Sequence, residues 1–241
     1  MPNIKDMLSI IKEGFQEISS NYSDLKSNVQ DEIGFEFLED VSKGVKILNA
    51  GRKYFQTQKF ISFLNGLCYA DKSSKKIDQL IQYMEKDNNV MFVTNTIDKI
   101  ILSNSQKSCF IMGLLLSDLL KYNGSVTQKE LVLLQLLSEI NDFDLYNYSK
   151  LYENSYVTKS NKRLIKYSTV SECSKKYNIN RENLFITIEM LTKNYAINKI
   201  SDVELSIDSD DVEFSTADVS EEYLITSIGE ELLKLINIIE Q

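Results

Sequence analysis

Histidine is absent from this 241-residue sequence, and so is tryptophan. Without an imidazole there is no Ser–His or Cys–His nucleophile pair, no His-ligated zinc site and no His general base. Proline occurs once, as Pro2, and there are eight glycines. A chain so poor in breakers favours long helices and leaves little for an all-β or Gly-loop enzyme. The three cysteines, Cys68, Cys109 and Cys173, show no CxxC spacing. Cys68 and Cys109 stand among apolar residues, where a free thiol packs as a small hydrophobe. All three are expected to be reduced thiols of a cytoplasmic protein. No secretory leader pattern opens the sequence, and its longest apolar run, residues 109–116, is far short of the roughly 20 residues a membrane span needs. The phosphate-cradling GxxxxGK[ST] and GxGxxG motifs and the nucleophile motif GxSxG are all missing.

What is present is apolar and acidic. The apolar fraction is 43%, enough for a proper core, and the net charge is −8 with a pI near 4.8. That charge argues against general binding to nucleic acid or anionic membrane by the whole protein, while leaving room for a local basic face.

The stretch from 107 to 140 organises the first part of the chain. Cys109, Phe110, Ile111, Met112, Leu114, Leu115, Leu116, Leu119 and Leu120 make one helix apolar on nearly every side, the mark of a helix with neighbours all round. Leu115 and Leu119 are expected to be almost fully buried. Residues 122–125 read as a turn. Thr127 and Glu130 fit a capping box, with the hydroxyl taking the Glu130 amide and the carboxylate reaching back to the Thr127 amide. Leu131, Leu133, Leu134, Leu136, Leu137 and Ile140 carry a second apolar helix.

Around this hairpin the apolar spacing predicts further helices over 3–20, 22–40, 41–68, 77–84, 90–103 and 142–151. The second is acidic and the third carries a basic stripe, Lys43, Lys46, Arg52, Lys53 and Lys59, so the two are expected to pair. Residues 113–139 resemble the helical hairpin of TerB-like, tellurite-resistance-type proteins, which show Asp-Gly, a hydrophobe, Ser or Thr, and then Glu. Asn123 stands where the acid would be, so no metal role carries over.

After residue 152 the composition shifts. Residues 153–168 are polar and basic. Helices are predicted over 169–177 and 181–194, separated by an Asn-Ile-Asn turn. Strand-like alternation follows at 196–200 and 203–207, then an acidic excursion, a strand at 223–226 and a closing helix at 227–240. Helix, turn, helix, strand, wing, strand, helix is the order of the winged-helix superfamily. Residues 172–200 and 223–229 resemble it in residue type. The resemblance implies DNA binding, with helix 181–193 entering the major groove and Lys175, Lys176, Arg181, Asn183, Thr187 and Lys193 as contacts. The other use of such a domain is protein docking. Charge favours docking: residues 202–222 hold nine acids and no Lys or Arg, and phosphate contacts need cations.

Asp208, Asp210, Asp211 and Glu213 do not make an EF-hand, since no Gly stands at the sixth position and Val219 replaces the bidentate Glu. They are instead candidate partner-binding residues. The expected architecture is mainly α, with a helical bundle over 1–150 and a winged-helix-like α+β domain over 151–241. No catalytic, cofactor or metal residue emerges. The expected function is that of a non-enzymatic regulator or inhibitor binding another protein, with DNA-binding transcriptional regulation as the alternative. Its richness in Asn, Lys, Ile and Tyr resembles low-GC bacteria and their phages, where small acidic proteins often serve phage–host conflict.

Overall fold

The computed structural model describes the backbone of residues 13, 15–16, 43–70, 75–121, 125–203 and 219–239, and side chains within these except at 43–54, 87–88, 201–203 and 219–220. The chain is mainly helical with a small antiparallel sheet, and it divides into two compact units, Met1–Ser138 and Glu139–Gln241.

The first unit contains α1 (Lys43–Leu67), α2 (Lys75–Tyr83), α3 (Asp87–Leu102), α4 (Gln106–Lys121) and most of α5 (Gln128–Glu139). As the apolar pattern requires, α4 is buried along most of its length and packs against α1, α2 and α3. Ser105 opens it by accepting the Ser108 amide at 2.8 Å. Leu115 and Leu116 are buried, but Leu119 is only half-buried. It falls in the last turn, where the helix leaves the core. The cap of α5 also differs from expectation in one half. Thr127 N donates to Glu130 Oε2 at 2.7 Å, but the Thr127 hydroxyl takes the Lys129 amide, at 3.3 Å, and also donates to the Glu130 carboxylate. Of the helix predicted over 3–20, Glu13, Phe15 and Gln16 are helical, and the buried Phe15 ring lies 6.2 Å from Phe60. The helix predicted over 22–40, the basic side chains at 43–53 and the turn at 122–124 lie outside the described residues.

The second unit begins with α6 (Asp142–Glu153), followed by β1 (Tyr156–Val157), β2 (Arg163–Lys166), α7 (Tyr167–Tyr177), α8 (Arg181–Lys193), β3 (Ile197–Val203), β4 (Val219–Ile225) and α9 (Ser227–Ile239). Asn141 caps α6 with a complete capping box. This helix packs on α7, α8 and α9, with Leu145, Tyr148 and Leu151 in the core. The strands run antiparallel in the order β1-β2-β4-β3, with Ile165 opposite Tyr223 and Ile200 opposite Glu222. The β1–β2 hairpin sits in the stretch that reads as merely polar and basic. The two strand-like runs at 196–200 and 203–207 are one strand as far as Val203, and residues 204–218 lie outside the described residues. Asn178 ends α7 in the left-handed conformation at φ 54°, and Tyr195 turns the chain out of α8 at φ 59°. Asn and Asp tolerate that region, whereas a tyrosine there is uncommon. Thr226 caps α9, accepting the amides of Ile228 and Gly229 at 3.2 and 3.3 Å.

Candidate partner-binding surface

Helix α8 is the central element of the surface. Asn180 caps it, accepting the Glu182 amide at 2.9 Å. Leu184, Ile188 and Leu191 recur at core spacing and are buried. Thr187 lies on the same inward face and is fully buried. Its hydroxyl donates to Asp144 Oδ1 at 2.8 Å and accepts from Asn147 Nδ2 at 3.1 Å. Thr187, expected from the sequence as a nucleic-acid contact, instead has its hydroxyl committed to a polar joint between α6 and α8.

The outward stripe is Glu182, Ile186, Glu189 and Lys193, all exposed and spaced by three or four residues. Among the described residues neither the Glu182 nor the Glu189 carboxylate has an ion-pair partner. Lys193, the one cation of the stripe, pairs with Glu139 at 2.9 Å, and Asn194 donates to the same carboxylate oxygen at 3.1 Å. Arg181 is exposed but donates to Ser171 Oγ at 3.0 Å and stacks its guanidinium 4.7 Å from the Tyr167 ring centre. Lys176 donates to Asn154 Oδ1 at 3.2 Å and lies over the Tyr177 ring. Lys175 and Asn183 are exposed. The six sequence-predicted contacts thus do not converge: one is buried, three are engaged within the unit, and Lys175 belongs to a different helix from Asn183.

A groove flanks α8 on each side. Consecutive residues feed opposite grooves, Phe185 one and Ile186 the other. The groove toward the sheet is walled by Tyr167, Phe185 and Tyr223, with Glu221, Glu222 and Lys166 at its rim. The Tyr167 and Phe185 rings lie 6.1 Å apart. The groove toward α6 has Phe143, Tyr146 and Ile186 among a set of asparagines that includes Asn183. Phe143 is 79% exposed and Ile186 55%. Large apolar side chains this open, gathered round one helix, mark an interaction site more than scattered ones do. The signal was in the sequence as Phe143, Tyr146 and Ile186 off the core period, but only the packing of α6 on α8 brings them together.

Cross-strand ion pairs bound the sheet side. Lys199 meets Glu221 at 2.5 Å and Lys166 meets Glu222 at 2.9 Å. The Lys199 hydrogen bond holds the Glu221 carboxyl below its ordinary range, and the hydrogen bond to Glu222 raises Lys166. Burial, helped by Glu221, pushes the Tyr223 phenol up to about 12. It therefore stays a neutral donor, giving its proton to Glu221 Oε2 at 3.0 Å. The candidate residues Asp208, Asp210, Asp211 and Glu213 lie outside the described residues, although the segment that carries them leaves the sheet at the paired Val203 and Val219.

Among the described residues no three His, Cys, Asp or Glu side chains gather to hold a metal. No helix among them is long and apolar enough to cross a membrane. All three cysteines are buried, and none forms a disulfide. No protein-family model matches the chain, nor does any curated protein or solved structure compared with it.

Proposed function

We propose that this protein is a non-enzymatic regulator or inhibitor that binds another protein, using its second unit as a winged-helix docking module. The fold reading is supported by element order: apart from the short β1 inserted after α6, the elements α6, β2, α7, α8, β3, β4 and α9 follow one another as in a winged helix, with β4 between β2 and β3. The α6 helix supplies the first helix of that order, which the sequence alone assigned to the preceding bundle.

The observation that carries the docking reading is the outward stripe of α8. A helix lying in the major groove needs cations for phosphates and polar side chains for base edges. This one offers two carboxylates with no ion-pair partner among the described residues, an exposed isoleucine and a lysine already held by Glu139. The sequence of residues 202–222, with nine acids and no Lys or Arg, points the same way. The α4–α5 hairpin is read as a structural element of the bundle, and no metal function is proposed for it.

Fluorescence anisotropy with the full chain and a labelled random duplex, titrated at several salt concentrations, tests this. Docking predicts nothing tighter than ordinary non-specific binding, about 10⁻⁴–10⁻⁶ M. Binding far tighter than that, falling steeply with salt, would replace docking by DNA recognition.

A further inference from the structure

We propose that the α8 ridge and its two grooves take a basic amphipathic segment of a partner protein, with Lys or Arg side chains interleaved with apolar ones. This inference rests on the docking reading and names the partner's chemistry. Glu182 and Glu189 stand one above the other along the ridge, without ion-pair partners among the described residues, and the aromatic grooves open on either side. Carboxylates beside open aromatic faces suit a cation whose alkyl stem packs on the rings while its head meets the acids. The protein itself shows that such seats work. Arg181 lies 4.7 Å over the Tyr167 ring, and Lys166 lies 5.2 Å from the Tyr156 ring centre.

Charge selects the occupant. At a net charge of −8, a second copy of the chain would bring a like-charged body to this face. A cationic partner is instead drawn toward the ridge. Apolar residues in the partner are required as well. Ile186 and Phe143 offer surface that a purely ionic ligand leaves wet.

The test uses the full chain and three labelled synthetic peptides of one length. The first has arginine and leucine at helical spacing, the second has glutamate in place of arginine, and the third has arginine with serine in place of leucine. Only the first should bind well. In the doubly charge-reversed variant Glu182→Lys with Glu189→Lys, its on-rate should fall roughly tenfold or more, as expected when steering charges are inverted. Ile186→Ser, at an exposed position that leaves the fold intact, should instead speed dissociation. Circular dichroism of both variants checks folding, and amide shifts of residues 181–193 and 219–225 report where the peptide sits. Equal binding of the acidic peptide, or an unchanged on-rate in the charge-reversed variant, overturns the cationic assignment while leaving protein docking standing. Displacement of the peptide by duplex DNA at comparable affinity overturns docking too. Self-association through this face, seen by sedimentation and abolished by Ile186→Ser, would put a second copy in place of the basic segment.

Discussion

Gly66 and Gly113 face each other where α1 crosses α4. A methyl group on Gly113 would lie 3.0 Å from the Gly66 carbonyl carbon and would overlap the Phe63 carbonyl oxygen. One on Gly66 would overlap the Phe110 carbonyl and sit 3.2 Å from the Leu114 amide. Both obstacles are backbone, which cannot swing away as a side-chain tip can. Gly113→Ala should therefore push the helices apart and cost about 3 kcal/mol, at the upper end of overpacking penalties. Urea denaturation followed by circular dichroism gives the value. A loss no larger than that of an exposed substitution would mean the crossing has room to spare.

Burial along α4 grades the cost of truncating its leucines. Leu116 is 1% exposed, whereas Leu119 is half-buried in the last turn. Leu116→Ala should cost about 2–5 kcal/mol, from lost transfer energy and the cavity left behind. Leu119→Ala should cost distinctly less, because water already reaches the site. The same denaturation series ranks them, and equal losses would contradict this burial pattern.

Thr187 separates a structural role from a binding one. Thr187→Val keeps the shape but leaves Asp144 and Asn147 without the hydroxyl they share. The expected cost is about 1–3 kcal/mol of stability, with no change in affinity for the basic peptide once the fold is intact. A variant of native stability with weakened peptide binding would return Thr187 to the ligand-contacting residues.

These side chains also show what could be read from sequence. The helical period located α1 to α9, because apolar stripes at that spacing have few alternative folds. Thr187 stands three residues after Leu184 and one before Ile188, at a core position. Its polarity suggested a ligand contact, while its place in the period indicated burial. Strands β1 and β2 were not legible. They are short, only Ile165 among them is buried, β1 pairs with β2, and β2 is defined by pairing with β4 more than fifty residues later. The Lys193–Glu139 pair spans a similar distance, and it shows that the lysine of the outward stripe is already engaged. The opening of α6 against α8, which creates one of the grooves, is likewise a product of tertiary packing.

Cys173 sets part of the alkaline limit of stability. Burial raises its thiol from an ordinary 9.0 to about 11, and the thiol donates to the Lys150 carbonyl at 3.3 Å. Unfolded, the group ionises near its ordinary value, so the fold prefers the protonated form. Its contribution is whole below about pH 9 and is lost as pH climbs toward 11. Denaturation midpoints should fall across that interval, and fall less in Cys173→Ala. Parallel pH profiles for the two proteins would remove the thiol as the cause.

The surface assignment is tested most directly by amide hydrogen exchange on the full chain, free and bound to the macromolecule isolated with it from its source cells. Docking through the α8 ridge predicts a protein partner, with slowed exchange concentrated in residues 181–193 and 219–225 and in the first turns of α6, and with the β1–β2 turn unchanged. Protection confined to the first unit, or a co-isolated nucleic acid that alone reproduces the protection of α8, would contradict it.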